Sequence, residues 1–270
     1  MSDTVPFNFR NIDCQPSCID EEYTIVDKEL LAEWVAILAL GQSRHMVRII
    51  NELSPAPIRV TQMTKKSVLS KLQVSKEIEK DKDKKEDFIE KRDGWLFQLI
   101  SWIVVFMQNQ GKLFKQYLPH TQHAMHGIDG LAVIVEGGHI ARIIITEDKC
   151  TKNARNTITQ QVFPELDAYE KGIKNTELLE KVGVLLDMIG EDCQDAHNEI
   201  EDMKRWQYRI SITRQSTHDS PDKRKSLFKD YESHVKKSIE RRRGATTNLG
   251  DMRAWMEDFS KMVIDIIKKL

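Results

Sequence analysis

The sequence lacks the features that would assign it to a membrane or secreted class. Its longest apolar run, residues 102–107, is far shorter than the roughly 20 residues that a membrane-spanning helix needs. Residues 1–10 contain no basic region followed by an apolar block, which a secretory signal would have. The sequence therefore predicts a cytoplasmic protein without membrane contact.

Cysteine is scarce, and neither sign of charge is in excess. The four cysteines are scattered along 270 residues, a chain too large to depend on disulfides, and we expect free thiols. Cys14 and Cys18 have no second Cys or His pair at zinc-ribbon spacing, which argues against a structural zinc site. The net charge of -1 gives no overall basic signature, so any attraction to nucleic-acid phosphate must come from local patches.

The length and the 40% hydrophobic content are sufficient for one large α/β domain, or for a compact domain with a helical elaboration. Residues 1–26 are typical of an extended arm or an edge strand. Residues 27–41 predict an amphipathic helix with Asp27 as its N-cap. In residues 76–93, alternating acids and lysines predict a solvated helix with intrahelical ion pairs or a mobile insert. We therefore place an N-terminal arm and helical elaboration at 1–93 and the main domain, with its C-terminal helices, at 94–270.

The main domain begins with its most apolar helix-length segment, residues 95–108, which predicts a buried central helix. Two β-branched runs, 131–135 and 140–145, flank a glycine-containing turn and predict a hairpin. A helix starting or bending near Pro164 follows, with helices at 176–189 and 191–203, a strand at 208–213 and an amphipathic helix at 249–270. The expected fold is α/β, with a mixed central sheet of four or five strands flanked by helices.

The residues that point to chemistry lie around this hairpin. Asp129 stands between Ile128 and Gly130, 18 residues before Glu147, and Glu147-Asp148-Lys149 ends the second strand. Alternate strand residues share a face, so we expect Glu147 and Lys149 to point one way and Asp148 the other. The hairpin brings Asp129 alongside. Two carboxylates can hold a hard divalent cation that activates water for phosphodiester hydrolysis, and the lysine can stabilise charge on the phosphate.

An acid-x-Lys string alone is a weak signal in a chain with 31% charged residues, and its alternative interpretation is a surface ion pair. The context favours a site, because the string ends an apolar strand and a glycine-flanked aspartate precedes it at hairpin distance. The arrangement resembles the PD-(D/E)XK, or restriction-endonuclease-like, superfamily over about residues 94–213. The segments 126–130, 147–149 and 252–256 further resemble the HamA effectors of Hachiman-type bacterial antiphage systems.

This resemblance implies a restriction-endonuclease-like core and a Mg²⁺-dependent deoxyribonuclease, with Mn²⁺ as a substitute. It implies that Asp129 and Glu147 hold the metal and that Lys149 is the catalytic lysine. It also implies that DNA is degraded, with little sequence specificity, when a HamB-like helicase subunit senses invasion. The rival hypothesis is a non-catalytic, nuclease-like subunit that docks a helicase, in which the charged triad is a structural ion pair.

One departure from the superfamily pattern concerns the helix before the first strand, where many members have a glutamate and this chain has Gln98. A neutral amide is a poorer ligand for Mg²⁺. Gln160 or Gln161 could match a glutamine that some members place near the site, and either is equally consistent with an ordinary polar residue at a helix start. His126, three residues before Asp129, is a candidate to approach the scissile phosphate.

Other charged and histidine-containing segments give weaker signals. His120, His123 and His126 have helical spacing, but Pro119 and Gly127 predict a loop, which argues against a histidine metal site.

Lys152 and Arg155 follow the catalytic strand and are candidates to contact DNA phosphate. Residues 223–243 contain nine Lys or Arg and three acids, which favours DNA phosphate contacts, a solvated face or a protein interface about equally. For residues 249–270 we prefer packing on the chain's own sheet over docking of another subunit.

Overall fold

The computed structural model describes residues 5–51, 58–123, 127–190 and 195–270. Within these ranges, seven strands form one mixed sheet in the order β1-β2-β7-β6-β5-β4-β3. Pairs β1/β2, β3/β4 and β4/β5 are antiparallel, whereas β5/β6, β6/β7 and β7/β2 are parallel. The strands are β1 (Phe7–Cys14), β2 (Cys18–Ile25), β3 (Leu113–Gln116), β4 (Gly130–Glu136), β5 (His139–Lys149), β6 (Trp206–Arg214) and β7 (Arg242–Asn248).

Helices cover both faces of this sheet, which confirms the α/β class. The helices in the described ranges are α1 (Lys28–Ala39), α2 (Ser43–Ile50), α3 (Gln62–Leu72), α4 (Lys82–Gln108), α5 (Ala154–Thr157), α6 (Phe163–Glu170), α7 (Asn175–Ile189), α8 (Ala196–Glu201), α9 (Pro221–Leu227), α10 (Tyr231–His234) and α11 (Met252–Lys269). A π-helical turn, Ile158–Val162, joins α5 to α6. Pro164, which has no N–H for the helical ladder, lies just after this turn.

The predicted hairpin is present as β4 and β5, joined at Gly137 and Gly138. Both glycines have positive φ, 59° and 76°, which suits a two-residue hairpin turn. The predicted strand at 208–213 is β6, and the predicted buried helix at 95–108 is the C-terminal half of α4.

The sheet is larger than the predicted four or five strands. Residues 7–25 form the hairpin β1/β2, whose second strand pairs with β7. The N-terminal segment is therefore part of the central sheet, and the division predicted between residues 93 and 94 falls inside α4. The unpredicted β7 has the sequence RRGATTN, in which no apolar run marks a strand. It forms because parallel neighbours on both sides satisfy its backbone.

Helices α1, α4 and α11 lie together over one face of the sheet. Trp34, Leu96, Ile103 and Phe259 are among the buried residues of the core that they share. The amphipathic helix α11 packs against α1, α3 and α4. It packs mainly on other helices of its own chain and shares a core with Phe7 and Tyr23 of the sheet. The charged first turns of α4 are solvated and carry i,i+4 ion pairs such as Lys82–Glu86, as predicted.

The opposite face is covered by α6, α7 and the segment containing α9 and α10. Leu131, Ile145, Tyr169 and Tyr231 are among its fully buried residues. The structure describes Cys14, Cys18 and Cys150 as free thiols, as predicted, and Cys193 lies outside the described residues.

The basic segment 223–243 divides by residue type. Its lysines, Lys223, Lys225, Lys229, Lys236 and Lys237, are exposed, as on a solvated face, whereas three of its four arginines are buried. Arg224 is fully buried and pairs with Asp20 and Glu22. Arg241 is also buried and pairs with Glu170. Buried guanidinium groups need such partners because an uncompensated charge inside a protein is costly. These arginines therefore hold elements together and are not available to DNA.

No helix in the described ranges is long and apolar enough to cross a bilayer.

Gly244 in β7 and Gly94 in α4 provide a test of this packing. A Cβ at Gly244 would lie 2.5 Å from Phe228 Cζ and 2.9 Å from Asp20 Oδ1, whereas one at Gly94 would meet nothing within 4 Å. We expect Gly244→Ala to destabilise the fold by about 1–3 kcal/mol through overpacking. Gly94→Ala should stabilise it by about 0.5–1 kcal/mol because alanine favours a helix interior. Urea unfolding of both variants measures this, and equal effects would contradict the packing described.

Candidate active site

The hairpin and its neighbouring strand bring Asp129, Glu147 and Lys149 into one place, as predicted. Asp129 directly precedes β4, in which Gly130 is paired with Thr146 of β5. The ammonium Nζ of Lys149 lies 3.5 Å from Asp129 Oδ2 and 3.4 Å from Glu147 Oε2. One ammonium group therefore lies within ion-pair distance of both acids.

Asp148 points to the other face of the sheet, as strand alternation predicts. Its backbone N–H donates to Asp129 Oδ2 over 3.0 Å, so the middle residue of the acid-x-Lys unit holds the aspartate of the neighbouring strand. Its side chain is buried among groups that include Ser101 and Arg209. Burial first, and the charge of Asp129 second, raise the pKa of Asp148 to about 7.

Gln98 of α4 lies beside Asp129. Its Nε2 donates to Asp129 Oδ1 over 2.7 Å, so the two oxygens of Asp129 are held from different sides, by α4 and by β5. A carboxylate oxygen accepts more than one hydrogen bond, so both oxygens keep capacity for a further partner. The amide of Gln98 therefore orients Asp129 and adds no negative charge to the site.

The site contains more negative than positive charge in a buried setting. Burial and the charge of Asp129 raise the pKa of Glu147 to about 8, although Lys149 opposes the shift. Burial alone would lower the pKa of Lys149, but the charges of Glu147 and Asp129 outweigh it and raise that pKa. A carboxyl group with a raised pKa binds a proton readily, and for the same electrostatic reason it favours an added cation.

Three residues near the site were not predicted: Glu165, Tyr169 and Lys174. Lys174 pairs with Glu165 and places its Nζ 5.0 Å from the centroid of the Tyr169 ring. The hydroxyl of Tyr169 has no hydrogen-bond partner among the described residues. Its pKa is raised by burial and then by the charge of Glu147. The only sequence signal was the i,i+4 spacing of Glu165 and Tyr169, which is too common on helices to single them out.

Lys149 also borders a cleft of about 450 Å³ that is lined by Lys152, Gln161 and Arg253. Two of the predicted accessory residues, Lys152 and Gln161, are therefore beside the site, whereas Gln160 does not line this cleft. Arg155 is engaged elsewhere, because its guanidinium donates to the carbonyl oxygens of Leu227 and Lys229 and pairs with Asp230. Its donors join α5 to the turn after α9, which argues against the predicted phosphate contact.

Two of the three predicted histidines are described, and both lie in irregular structure after Pro119, as predicted. His123 packs against the rings of Phe88 and Trp95, and burial lowers its pKa. His126 lies outside the described residues.

Asp129 and Glu147 are the side chains that could hold a metal ion, and their hard carboxylate oxygens suit Mg²⁺ or Mn²⁺. Within residues 5–51, 58–123, 127–190 and 195–270, no group of three or more His, Cys, Asp or Glu side chains is arranged around a common point. A cation here would have two protein carboxylates, with water or substrate oxygens completing its coordination, as Mg²⁺ commonly has.

No protein-family model, curated protein or solved structure matched this chain. Its function is therefore argued from the chemistry of the site.

The raised pKa of Glu147 predicts how stability depends on pH without metal. Its ordinary pKa is 4.5 and its folded value is about 8, so between these pH values the folded chain holds a proton that the unfolded chain has lost. Stability should fall as pH rises through this window. Asp148, whose pKa is raised to about 7, contributes in the same direction over a narrower range.

Thermal unfolding of wild type, Glu147→Gln and Glu136→Gln from pH 5 to 8.5 in EDTA measures the dependence. Glu147→Gln should reduce the fall in melting temperature with pH, since its amide does not titrate, and Asp148→Asn added to it should reduce the fall further. Glu136 is exposed at the hairpin turn, and its variant should follow wild type. A Glu147→Gln profile parallel to that of wild type would contradict the pKa assignment.

Proposed function

We propose that the protein is a metal-dependent nuclease that hydrolyses DNA phosphodiester bonds without reading bases. The observation that carries this proposal is the position of Lys149 Nζ, 3.5 Å from Asp129 Oδ2 and 3.4 Å from Glu147 Oε2, at the ends of two adjacent strands. This reaction needs acids that bind a divalent cation and a positive group that stabilises charge on the phosphate. The two acids and the lysine can supply these.

A bound Mg²⁺ would polarise a phosphoryl oxygen and lower the pKa of an attacking water. Asp129 and Glu147 would hold it. Gln98 and the N–H of Asp148 fix the carboxylate of Asp129 in advance, which lowers the reorganisation needed when a substrate arrives. The ammonium group of Lys149, partly exposed beside them, stabilises negative charge that develops on the phosphate during attack.

The cleft next to Lys149 is suited to a phosphate backbone. Lys152 and Arg253 line it together with Lys149, so three cations lie along one surface. Arg253 is also paired with Asp93 and Glu90, which leaves Lys152 as the freer of the two flanking cations. Contacts to backbone phosphate confer affinity without sequence preference, which agrees with hydrolysis that ignores base identity.

The resemblance to HamA effectors extends this proposal to a biological setting. In that setting the chain is the effector nuclease of a bacterial antiphage complex and acts with a HamB-like helicase subunit. Co-purification of the native protein with its associated proteins tests the partner, and recovery of a helicase supports it.

The non-catalytic alternative is favoured by one observation, the neutral Gln98 bonded to Asp129. In that case Lys149 simply neutralises two buried carboxylates, and the chain binds DNA or a helicase without cutting. Metal binding distinguishes the two functions, because a purely structural triad gains nothing from an added divalent ion.

The cleavage reaction is tested with Glu147→Gln and Lys149→Met, which keep the shape of the side chains and remove their charges. Each should lower Mg²⁺-dependent cutting of a plasmid or an oligonucleotide by about a hundredfold or more, the usual loss when a group that stabilises transition-state charge is removed. Lys204→Met, on an exposed residue just before the start of β6, is the matched control and should cut like wild type. Full activity in either site variant would refute the proposal.

Gln98→Glu tests whether the amide limits metal affinity. It replaces an amide donor 2.7 Å from Asp129 Oδ1 with a third carboxylate. Without metal this carboxylate repels Asp129, and with a bound cation it supplies a further oxygen ligand. We expect a lower melting temperature in EDTA and about tenfold tighter Mn²⁺ binding by calorimetry. Gln98→Met should lose the hydrogen bond without any gain in affinity. Weaker Mn²⁺ binding by Gln98→Glu than by wild type would contradict the placement of the cation beside Asp129.

A further inference from the structure

A second cavity with a strongly cationic lining lies near the C-terminus of α4. Its volume is about 230 Å³, and four cations line it with a single acid, Glu21. The cations are Lys112, Arg142, Arg209 and Arg243. Arg142 is seven residues before Lys149 along β5, or roughly 23 Å at about 3.3 Å per residue, so this cavity is distinct from the candidate active site.

Three of these cations have no acidic partner within the described part of the chain. Arg243 pairs with Glu21 over 3.2 Å, which accounts for the one acid present. Lys112 donates to the neutral side-chain oxygen of Asn109 over 3.0 Å. Among the described residues, no hydrogen bond or ion pair engages the side chain of Arg142, which is half-buried. Lys112, Arg142 and Arg209 thus form no ion pair among the described residues, and the charge of Asp148 acts on Arg209 only from beyond ion-pair distance.

Arg209 makes the excess of positive charge in the lining unfavourable for the fold, because only 3% of its surface is exposed. Its Nη1 donates to Ser101 Oγ over 3.1 Å, but Nε and Nη2 have no hydrogen-bond partner among the described residues. Asp148 on the adjacent strand does not reach ion-pair distance of it. A buried guanidinium group without a counter-charge at ion-pair distance is unfavourable. An anion in the adjoining cavity would reduce that cost through space, and apolar side chains in the lining strengthen the attraction.

The shape and lining of the cavity limit the kind of anion. At about 230 Å³, it is smaller than the pockets of about 300–1,000 Å³ that take drug-sized ligands. None of the described residues that line it is aromatic, so no ring is present for a base to stack on. These features fit a compact, multiply charged oxyanion better than a nucleoside.

We propose that this cavity binds a small oxyanion of the phosphate class, such as pyrophosphate, with Arg142 as the main residue that contacts it. Arginine suits this role because its planar fork donates two hydrogen bonds to one phosphate group. Lys112 and Arg209 add positive charge on either side. The site does not depend on the nuclease proposal, since none of these residues belongs to the cluster of Asp129, Glu147 and Lys149.

Calorimetric titration of the full chain with pyrophosphate, without divalent metal, tests the inference. Lys149→Met serves as the background for every measurement, so that binding beside the candidate active site, where Lys152 and Arg253 remain, is weakened. On this background we expect one equivalent of pyrophosphate to bind. Adding Arg142→Gln should weaken binding roughly tenfold or more, the loss expected for a charge-assisted hydrogen bond.

Arg59→Gln is the matched control, because Arg59 is exposed and distant in sequence from the lining; this change should leave affinity unchanged. Lys112→Gln, on an exposed residue, is a second lining variant and should weaken binding by a smaller factor. The proposal is overturned by a lack of saturable binding on the Lys149→Met background. It is also overturned by unchanged affinity in Arg142→Gln, or by equal losses in Arg142→Gln and Arg59→Gln, which would mean that only overall charge matters.

Discussion

The hydrogen bond from the backbone N–H of Asp148 to Asp129 Oδ2 is the contact on which the candidate site depends. It joins the end of β5 to the residue that precedes β4, so the two strands deliver their acids to the same point. With Gln98 on the other oxygen, Asp129 is fixed before any ligand arrives. Glu147 and Lys149 are then held close enough for each to shift the pKa of the other. The site thus has two acids close to one ammonium group, and this negative charge favours the binding of a cation.

The sequence predicts the elements that have strong local signals and misses those formed by tertiary contacts. The hairpin β4/β5, β6 and the buried half of α4 have apolar patterns of the right period, and all are present. Strand β7 contains two arginines, a glycine and two threonines, and it becomes a strand because β2 and β6 lie on both sides of it. The buried ion pairs of Arg224 and Arg241 were missed for a related reason, because their acidic partners come from segments distant in sequence. The sequence of a basic segment also does not show whether its side chains are exposed or buried.

The central triad was predictable because strand geometry fixes the direction of each side chain. Alternation placed Glu147 with Lys149 and away from Asp148, and this arrangement is observed. The surroundings were not predictable to the same degree. Tyr169 and Lys174 approach the site through the packing of α6 and the turn after it. Arg155 follows β5 closely in sequence, but its guanidinium donates to the carbonyls near α9. Sequence proximity to a site therefore says less than the element on which a residue lies.

The face on which the triad lies is decided by an irregularity that the sequence does not reveal. Pairing of β4 with β5 shifts register between Ile134 and Val135, since Val135 is opposite Ile140 and Ile134 is opposite Arg142. One residue of β5, Ala141, is thereby left unpaired, as in a β-bulge. Because of this extra residue, Ile140 and Ile143 both face the core under α6 and α7, although three positions separate them. Without it, a register that buries Ile140 under α6 and α7 would turn Ile143, Ile145 and Glu147 to the opposite face of the sheet. A shift of one residue reverses the direction of every side chain in a strand. The bulge therefore lets β5 bury the apolar residues on both sides of Ala141 in one core, while Glu147 and Lys149 still lie together beside Asp129.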